Sequence, residues 1–492
     1  MFTRQVRCNR HSIIAACAGF ALAAGLVSCG GGTTITGGFN PPTGTISVSL
    51  SDPPSCRFPA GNFQNVWVTV RSVMVHISST AGDNDTGWQE IAPNLANAPI
   101  QLDLLSIPAG GCILAMLGSN VSLPAGDYQQ IRLILLANNA TSGPSPNACS
   151  TVNAFNCVVL ANNGGTFALN LSSQANTGLK IPPGQIVGGP IRVGAGQHVD
   201  LNIDFNVCAS LVRQGNNQWR LRPTLTAGQV SSVSTGIGGR VVDSVTTNPL
   251  TGGAGAEVQV ALEMPDSGGI DRIIMQAAAD SSGNFNFCPV PAGTYDVVAV
   301  GQDGAGVTYG ATVVTGVTQG TALGNIPLIA QAAPGTMAGT INGVVTSENA
   351  GAGASIDASL SAFQSITVGG NPRQVTVPLF ANSVSNIATS ATPLTMGVTC
   401  PANTFCEGYS LIVPAQNPSF GAFASGGTMF SVPAAAPFSF TVEGRAFRPM
   451  SGGTPTCTPT SQTTSMDSMS AALAAVSGTP VTAQTLAFTT CN

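Results

Sequence analysis

The sequence carries very little charge. Asp, Glu, Lys and Arg make up 8% of its 492 residues, against about a quarter in an ordinary soluble domain. Lys180 is the only lysine, and no segment after residue 28 concentrates arginines. A nucleic-acid-binding protein needs clustered basic side chains to displace counterions from phosphates, so that class is excluded. Beyond residue 28 no long apolar run predicts a membrane-spanning helix.

Residues that carry chemistry are also scarce. His76 and His198 are the only histidines after residue 28, they lie on separate segments, and we interpret both as structural. No cysteine spacing is typical of a zinc site, and no G-x-S-x-G motif predicts a nucleophile. Residues 83–87 begin like a calcium loop, but Asn94 stands where the twelfth-position glutamate is needed, so a polar turn is favoured. We therefore expect no enzymatic activity, no metal and no cofactor.

The N-terminus has the features of an export signal. Arg4, Arg7 and Arg10 precede an apolar run at 13–26 that is too short to span a bilayer. Small residues then lead to Cys29. The pattern resembles a bacterial lipoprotein signal, which implies cleavage after residue 28 and acylation of Cys29; the alternative is an ordinary secretory signal with a chance cysteine.

The predicted anchor determines the compartment. The lipid bilayer is the expected partner of Cys29, and we expect a cell-envelope protein, with the outer membrane favoured because Gly30 rather than aspartate follows the cysteine. Removing residues 1–28 leaves 13 basic residues (16 − 3) against 21 acidic ones, a net charge of −8. Residues 29–44 are a Gly/Thr/Pro tether without apolar periodicity.

The rest of the chain predicts an all-β fold. Glycine (59) and proline (33) are abundant, hydrophobic residues reach 43%, and short alternating runs such as 45–50 and 66–70 lie between turn signals. We expect several β-sandwich domains in series, here named the first segment (45–230), the middle segment (235–330) and the last segment (334–492).

The first segment contains landmarks in a fixed order, namely Ser51-Asp52-Pro53, Gly87-Trp88, Asp103-Leu104-Leu105, Leu123-Pro124-Ala125-Gly126-x-Tyr128, Asp204-Phe205 and Leu221-Arg222-Pro223. This order resembles the DUF4382 family, a domain of bacterial lipoproteins. The resemblance implies a β-domain in the periplasm or at the cell surface and implies no catalysis.

The middle segment combines Gly239-Arg240-Val241 with a Gly283 hairpin and the corner Val290-Pro291-Ala292-Gly293-Thr294-Tyr295. It resembles carboxypeptidase regulatory-like or Cna-B-like modules, which are prealbumin-like sandwiches of the carbohydrate-binding type of fold. The segment has no lysine, so a lysine–asparagine cross-link is excluded. The last segment resembles no family; we expect a β-rich domain with a short helix at 465–476, where alanine, leucine and methionine follow Ser465.

Ten cysteines follow Cys29, and in an exported chain they predict disulfides. The close pairs are Cys149–Cys157, Cys400–Cys406 and Cys457–Cys491. Cys56–Cys112 is a further candidate, and Cys208 and Cys288 then remain, as a cross-segment pair or as buried thiols.

Trp67, Trp88 and Trp219 are the only tryptophans, and all lie in the first segment. Exposed indoles would offer a sugar-stacking platform, whereas packing on the sandwich is the other interpretation. The sequence favours a non-catalytic role in adhesion, scaffolding or ligand display, with an envelope protein as partner. The alternative is a carbohydrate-binding envelope protein that uses the middle segment or the tryptophan surface for a glycan.

Overall fold

The computed structural model describes residues 41–51, 63–106, 112, 115–171, 178–207, 209–214, 218–222, 224–230, 236–250, 255–331, 335–348, 355–447 and 457–491. This part of the chain contains β-strands and three single-turn 3₁₀ helices, with no α-helix. The all-β expectation is therefore confirmed. None of the described helices is long and apolar enough to cross a membrane.

The first segment contains the 3₁₀ helices η1 (Pro93–Ala96), η2 (Ser150–Val152) and η3 (Pro183–Gln185). Its strands are β1 (Thr43–Ser51), β2 (Phe63–His76), β3 (Gln89–Glu90), β4 (Ile100–Asp103), β5 (Ala115–Pro124), β6 (Gly126–Tyr128), β7 (Gln130–Leu135), β8 (Cys157–Leu160), β9 (Gly165–Leu171), β10 (Leu179–Ile181), β11 (Ile186–Val187), β12 (Ile191–Val193), β13 (His198–Asn206), β14 (Leu211–Arg213), β15 (Trp219–Leu221) and β16 (Thr224–Val230).

Two sheets of the first segment enclose one apolar core. The five-stranded sheet has the order β11-β16-β13-β1-β5, and the other runs β10-β7-β2-β8-β9-β15-β14 with β3 and β4 on β2. Alternation in β1 explains the arrangement, because Ile46, Val48 and Leu50 are fully buried in this core. β1 pairs in parallel with β13 over seven residues and antiparallel with β5, so the strand that follows the tether is bonded along both edges.

The strands of the middle segment are β17 (Ile237–Asp243), β18 (Glu257–Pro265), β19 (Ile270–Ala278), β20 (Asn284–Phe287), β21 (Thr294–Gln302), β22 (Thr308–Thr318) and β23 (Ala322–Leu328). Those of the last segment are β24 (Gly339–Glu348), β25 (Asp357–Val368), β26 (Asn371–Thr376), β27 (Asn386–Ala388), β28 (Thr404–Val413), β29 (Ser419–Ala422), β30 (Thr441–Phe447), β31 (Cys457–Thr458), β32 (Ser461–Thr464), β33 (Pro480–Thr482), β34 (Leu486–Phe488) and β35 (Thr490–Cys491).

The middle and last segments share a ten-stranded sheet. Its order is β29-β22-β21-β18-β19-β26-β25-β30-β32, with β27 on β25. β26 joins β19 through two register pairs, Ile270 with Gln374 and Asp271 with Val375, and β29 adds to the far edge at β22. Val298 and Val313 of the middle segment lie in one core cluster with side chains of the last segment. The two segments are therefore joined by backbone pairing and by a common core.

The same tyrosine corner occurs in the first and middle segments. In each Pro-Ala-Gly-x-Tyr sequence the chain turns into the following strand, and the tyrosine hydroxyl donates a hydrogen bond to the proline carbonyl four residues back. The distances are 2.8 Å for Tyr128 to Pro124 and 2.5 Å for Tyr295 to Pro291. Both tyrosines are buried, so the bond satisfies a hydroxyl that would otherwise be costly to bury.

The predicted helix at 465–476 is wrong. The segment folds back on itself in isolated bridges, with Met466 opposite Ala472. The Asp467 carboxylate fixes the turn, because it accepts hydrogen bonds from the amides of Met469 and Ala471. Because the Asp467 side chain hydrogen-bonds to nearby backbone amides, it favours the turn over a helix. This local bonding outweighs the helix propensity of the alanines.

Candidate functional site

The predicted lipidation site is not described by the structure. Cys29 and residues 29–40 of the tether lie outside the described residues, so acylation and its membrane remain predictions. The groups that the structure does describe are the predicted disulfides, the tryptophans, the histidines and the carboxylates. Three further features emerge from the fold: two charged joints between segments and one disulfide-closed loop.

Two disulfides match the predicted short-loop pairs. Cys149–Cys157 and Cys400–Cys406 have Cα separations of 5.7 and 5.3 Å. Cys457 is also disulfide-bonded and is the register partner of Cys491 in the β31–β35 ladder; the side chain of Cys491 lies outside the described set.

The Cys56–Cys112 pairing is wrong. Cys112 bonds to Cys288 of the middle segment instead, across 176 residues of sequence, with the Cα atoms 4.8 Å apart. Docking of the two segments brings these cysteines together, which spacing alone does not reveal. Cys56 and Cys208 lie outside the described residues.

The three tryptophans do not form one platform. Trp219 is buried, with its ring 4.8 Å edge-on from Phe63, so it packs on the sandwich and does not belong to an exposed ligand surface. Trp67 packs against the Cys149–Cys157 disulfide cluster. Trp88 lies beside His76, near the other end of β2. Trp67 and His76 are nine residues apart on that strand, a distance of roughly 30 Å at the rise of an extended strand. The guanidinium of Arg132 stacks 3.9 Å from the Trp88 ring and occupies a face that a sugar would need.

Both histidines have structural partners. The ring of His76 is buried, accepts a hydrogen bond from the Ser78 amide and contacts the carbonyl oxygen of Thr86 at 3.0 Å. His198 bridges the parallel strands β1 and β13, with Nδ1 2.9 Å from the Thr45 hydroxyl and Nε2 3.1 Å from Asp200. Each imidazole therefore holds local structure.

The carboxylates of the first segment are also placed as structural groups. Asp83 pairs with Arg132 and Lys180, which fixes the 83–87 turn. Asp103 accepts the Val66 amide at 3.0 Å. No group of three potential metal ligands occurs among the described side chains.

Asp204 is buried, and no cationic side chain in the described part of the chain pairs with it. Ser51 donates a hydrogen bond to Asp204 at 3.0 Å, and Asn202 in turn donates to Ser51. Burial raises the pKa of Asp204 to about 7, which the serine hydrogen bond only partly offsets.

The first charged joint connects the first and last segments. Arg220 lies 2.6 Å from Asp357, and Arg222 donates to Asn386 at 2.6 Å while its guanidinium stacks 4.8 Å from the Phe447 ring. Burial lowers the pKa of both arginines, that of Arg222 to about 10, and raises the pKa of Asp357. Pairing in this joint offsets the desolvation cost of its buried charges. Removal of one partner would leave the other charge buried and unpaired, which destabilises the fold.

The second charged joint connects the middle and last segments at the β19–β26 junction. Arg373 of β26 lies 2.7 Å from Asp271 and 2.6 Å from Asp296. Beside it, Arg272 of β19 makes a bidentate pair with Glu443 of β30. Together with Cys112–Cys288 and the Arg220 joint, these contacts link all three segments to one another in a closed ring.

The 390–406 loop is an uncharged surface held in one conformation. Ser390 and Cys406 exchange backbone hydrogen bonds at its base, next to the Cys400–Cys406 disulfide. The buried Glu407 carboxylate accepts hydrogen bonds from the backbone amides of Leu394 and Thr395 at 2.7 and 3.0 Å. These bonds attach the outer part of the loop to β28. At its end Met396 is 97% exposed and Leu394 is 49% exposed. Apolar side chains are thus presented on a fixed backbone.

Comparison with known proteins gives one sequence match. Residues 43–223 match the DUF4382 profile, a domain of unknown function, as the landmarks of the first segment predict. No curated protein matches the chain.

Solved structures give distant similarities. The chain is similar to a candidate cell adhesion protein of Bacteroides ovatus (11% identity, 42% of this chain and 97% of that chain, TM-score 0.14). It is also similar to the minor pilin of Streptococcus agalactiae (10%, 53% and 97%, TM-score 0.16) and to the shaft pilin SpaA of Lactobacillus rhamnosus GG (10%, 59% and 98%, TM-score 0.17). Similarity at these TM-scores carries no functional information.

Proposed function

We propose that the protein is a non-catalytic, lipid-anchored lipoprotein of the cell envelope that serves as a rigid adhesion or scaffolding body. The observation that carries this proposal is the closed ring of joints among the three segments. A disulfide, a shared sheet and buried ion pairs connect the segments pairwise, so relative movement would break strong contacts at several places. Such a body suits a protein that holds a contact surface in place.

The proposed anchor is the acylated Cys29, with the outer membrane as its site. Support comes from the signal pattern and from β1, which follows the tether and is hydrogen-bonded along both edges. Pulling on the tether would therefore load a strand inside a sheet. Cys29→Ser should abolish acyl labelling and release the protein from the membrane fraction, with Cys17→Ser as a matched control. Membrane retention of Cys29→Ser would refute the anchor.

We propose the 390–406 loop as the contact surface, and an uncharged, apolar protein surface in the envelope as its partner. Buried in an interface, a side chain such as Met396 contributes roughly 1.5–3 kcal/mol, or about 10- to 150-fold in affinity. A photo-crosslinking amino acid at position 396 should give a discrete adduct on intact cells. The matched control is position 245, where Val245 is 87% exposed in the middle segment. The same adduct pattern at both positions would refute the loop as contact surface.

The role itself is tested by deletion. Loss of the protein should reduce cell attachment or aggregation, and the wild-type protein should restore it while Met396→Ser restores it only weakly. Normal attachment after deletion would contradict the adhesion role. We also propose that the middle segment is related to carboxypeptidase regulatory-like modules, supported by the order of Gly239-Arg240-Val241, the Gly283 hairpin and the corner from Val290 to Tyr295 in its sequence.

A further inference from the structure

The joint between the middle and last segments contains more buried acid than base. Glu263 of β18 and Asp271 of β19 are completely buried, and Asp296 of β21 is 3% exposed. Asp271 and Asp296 share one guanidinium, that of Arg373 on β26, and Glu263 forms no ion pair among the described side chains. Glu263 accepts the Thr376 amide at 3.1 Å through Oε2, while its Oε1 is buried and has no hydrogen-bond partner in the described part of the chain.

Neighbouring charges do not balance this excess. Arg272 is paired with Glu443 and with Asp266, and Arg445 of β30 lies 3.7 Å from Glu443. The described groups at the joint are thus five carboxyls and three guanidiniums. Full ionisation would leave an excess of two negative charges at the joint. Glu263, Asp271 and Asp296 are the carboxyls shielded from water, where an uncompensated charge costs several kcal/mol per ion. Proton uptake is the way such a cluster avoids that cost.

We propose that this joint is a proton-dependent clasp, in which the Glu263, Asp271 and Asp296 cluster holds at least one proton when the segments are locked and loosens as that proton is lost. The location makes the proton consequential. β26 is attached to β19 by only two register pairs, and Thr376 bonds to the cluster through both its amide and its hydroxyl, which donates to the Asp271 carbonyl at 2.6 Å. Charge repulsion here acts directly on β26, one of the two strands by which the last segment pairs with the middle segment.

The direction of the pH effect follows from the shifted groups. Burial raises the pKa of Asp296 to about 6 and raises the pKa of Glu263 well above its ordinary value, with the Asp271 carboxylate adding to the rise. A carboxyl whose pKa is higher in the folded state stabilises the fold when protonated. That stability is lost as pH rises from about 4 through about 6 for Asp296, and as pH rises through the raised pKa of Glu263. The lowered pKa of Asp266 acts only below about pH 4.

Hydrogen exchange at the joint tests the proposal on the mature chain. The Thr376 amide is the reporter, because it donates to Glu263. After correction for intrinsic exchange rates, the opening equilibrium constant should increase between pH 4.5 and 7.5 by up to about tenfold per pH unit for each titrating group. Asp296→Asn and Glu263→Gln imitate the protonated forms and should flatten that increase.

Two control variants separate this joint from the rest of the molecule. Asp204→Asn removes a buried carboxyl of the first segment, and Asp280→Asn removes an exposed carboxyl in a turn. Neither variant should change the pH dependence of the opening constant at the Thr376 amide. Infrared spectroscopy of the Asp204→Asn protein should still detect a protonated carboxyl at pH 5, which lies below the pKa of about 6 of Asp296, and this covers the case in which the joint variants fail to fold. A pH-independent opening constant at Thr376, an unchanged slope in both joint variants or the absence of that infrared band would overturn the proposal.

Discussion

Removal of the Cys112–Cys288 disulfide tests how strongly the first and middle segments are held together. In the loop-entropy relation, a cross-link that closes 176 residues stabilises the fold by about 5 kcal/mol. The same relation gives about 2.5 kcal/mol for Cys149–Cys157, whose sequence separation is 8. Replacing both cysteines of each pair by alanine should therefore destabilise the protein about twice as much for the long-range bond.

Guanidinium-induced unfolding can separate the segments spectroscopically. All three tryptophans lie in the first segment, so fluorescence reports that segment, whereas circular dichroism reports all strands. In the wild type the two transitions should coincide, because the joints couple the segments. In Cys112→Ala/Cys288→Ala they should separate, and in Cys149→Ala/Cys157→Ala they should shift together.

Two outcomes would contradict this coupling between the segments. Equal destabilisation by the two double variants would show that the closed ring adds nothing to the first segment's stability. Coincident transitions in Cys112→Ala/Cys288→Ala would show that the remaining ion pairs and apolar contacts suffice to couple the segments without the covalent bond.

Further predictions concern the Arg220–Asp357 ion pair, the Asp204 carboxyl and the cysteines Cys56 and Cys208. Asp357→Ala should lower the free energy of unfolding by about 3–5 kcal/mol in chemical denaturation, because Arg220 stays buried and unpaired. The double substitution Arg220→Met/Asp357→Leu should leave that free energy nearly unchanged, and equal losses in the two variants would contradict this. Wild-type stability should fall as pH rises from about 4 to about 7 while Asp204 ionises, and Asp204→Asn should remove up to about 4 kcal/mol of that fall; an unchanged profile would count against it. Cys56 and Cys208 should form a disulfide, because they follow the same end of the parallel strands β1 and β13; their recovery as free thiols in non-reducing peptide mapping would disprove the pair.

Features set by local sequence were predictable. Alternation identified β1, and the short spacing of Cys149 and Cys157 identified their disulfide. The Pro-Ala-Gly-x-Tyr corners marked strand entries that the structure stabilises through their tyrosine hydroxyls. Each of these depends on residues within about ten positions of one another, so the relevant physics is visible in a single window of sequence.

Features set by docking were not predictable. Asp271 and Val375 are register partners across 104 positions (375 − 271), and alternation does not say which strand a hydrophobic face will meet. Cys112 and Cys288 meet only after two segments have packed. Trp219 occupies an inward position of β15, and no pattern in its three-residue strand distinguishes the two faces. The charged joints lacked any sequence signal, because their members lie in different segments.

If the protein is exported, as we propose, the Cys112–Cys288 connectivity has a consequence for the order of events. If the chain crosses the membrane from its N-terminus, Cys112 reaches the oxidising compartment well before Cys288, and Cys149, Cys157 and Cys208 arrive in between. Oxidation in order of arrival would join Cys112 to a neighbour, and exchange of that bond takes seconds to hours depending on the isomerase.

Maturation of this protein therefore depends on timing. Either Cys112 is kept reduced until the middle segment has emerged, or an isomerase repairs an early mispairing after it has. A host that supplies an oxidant without isomerase activity should accumulate chains with an isolated first segment and a wrongly bonded Cys112, even though every strand of that segment is present.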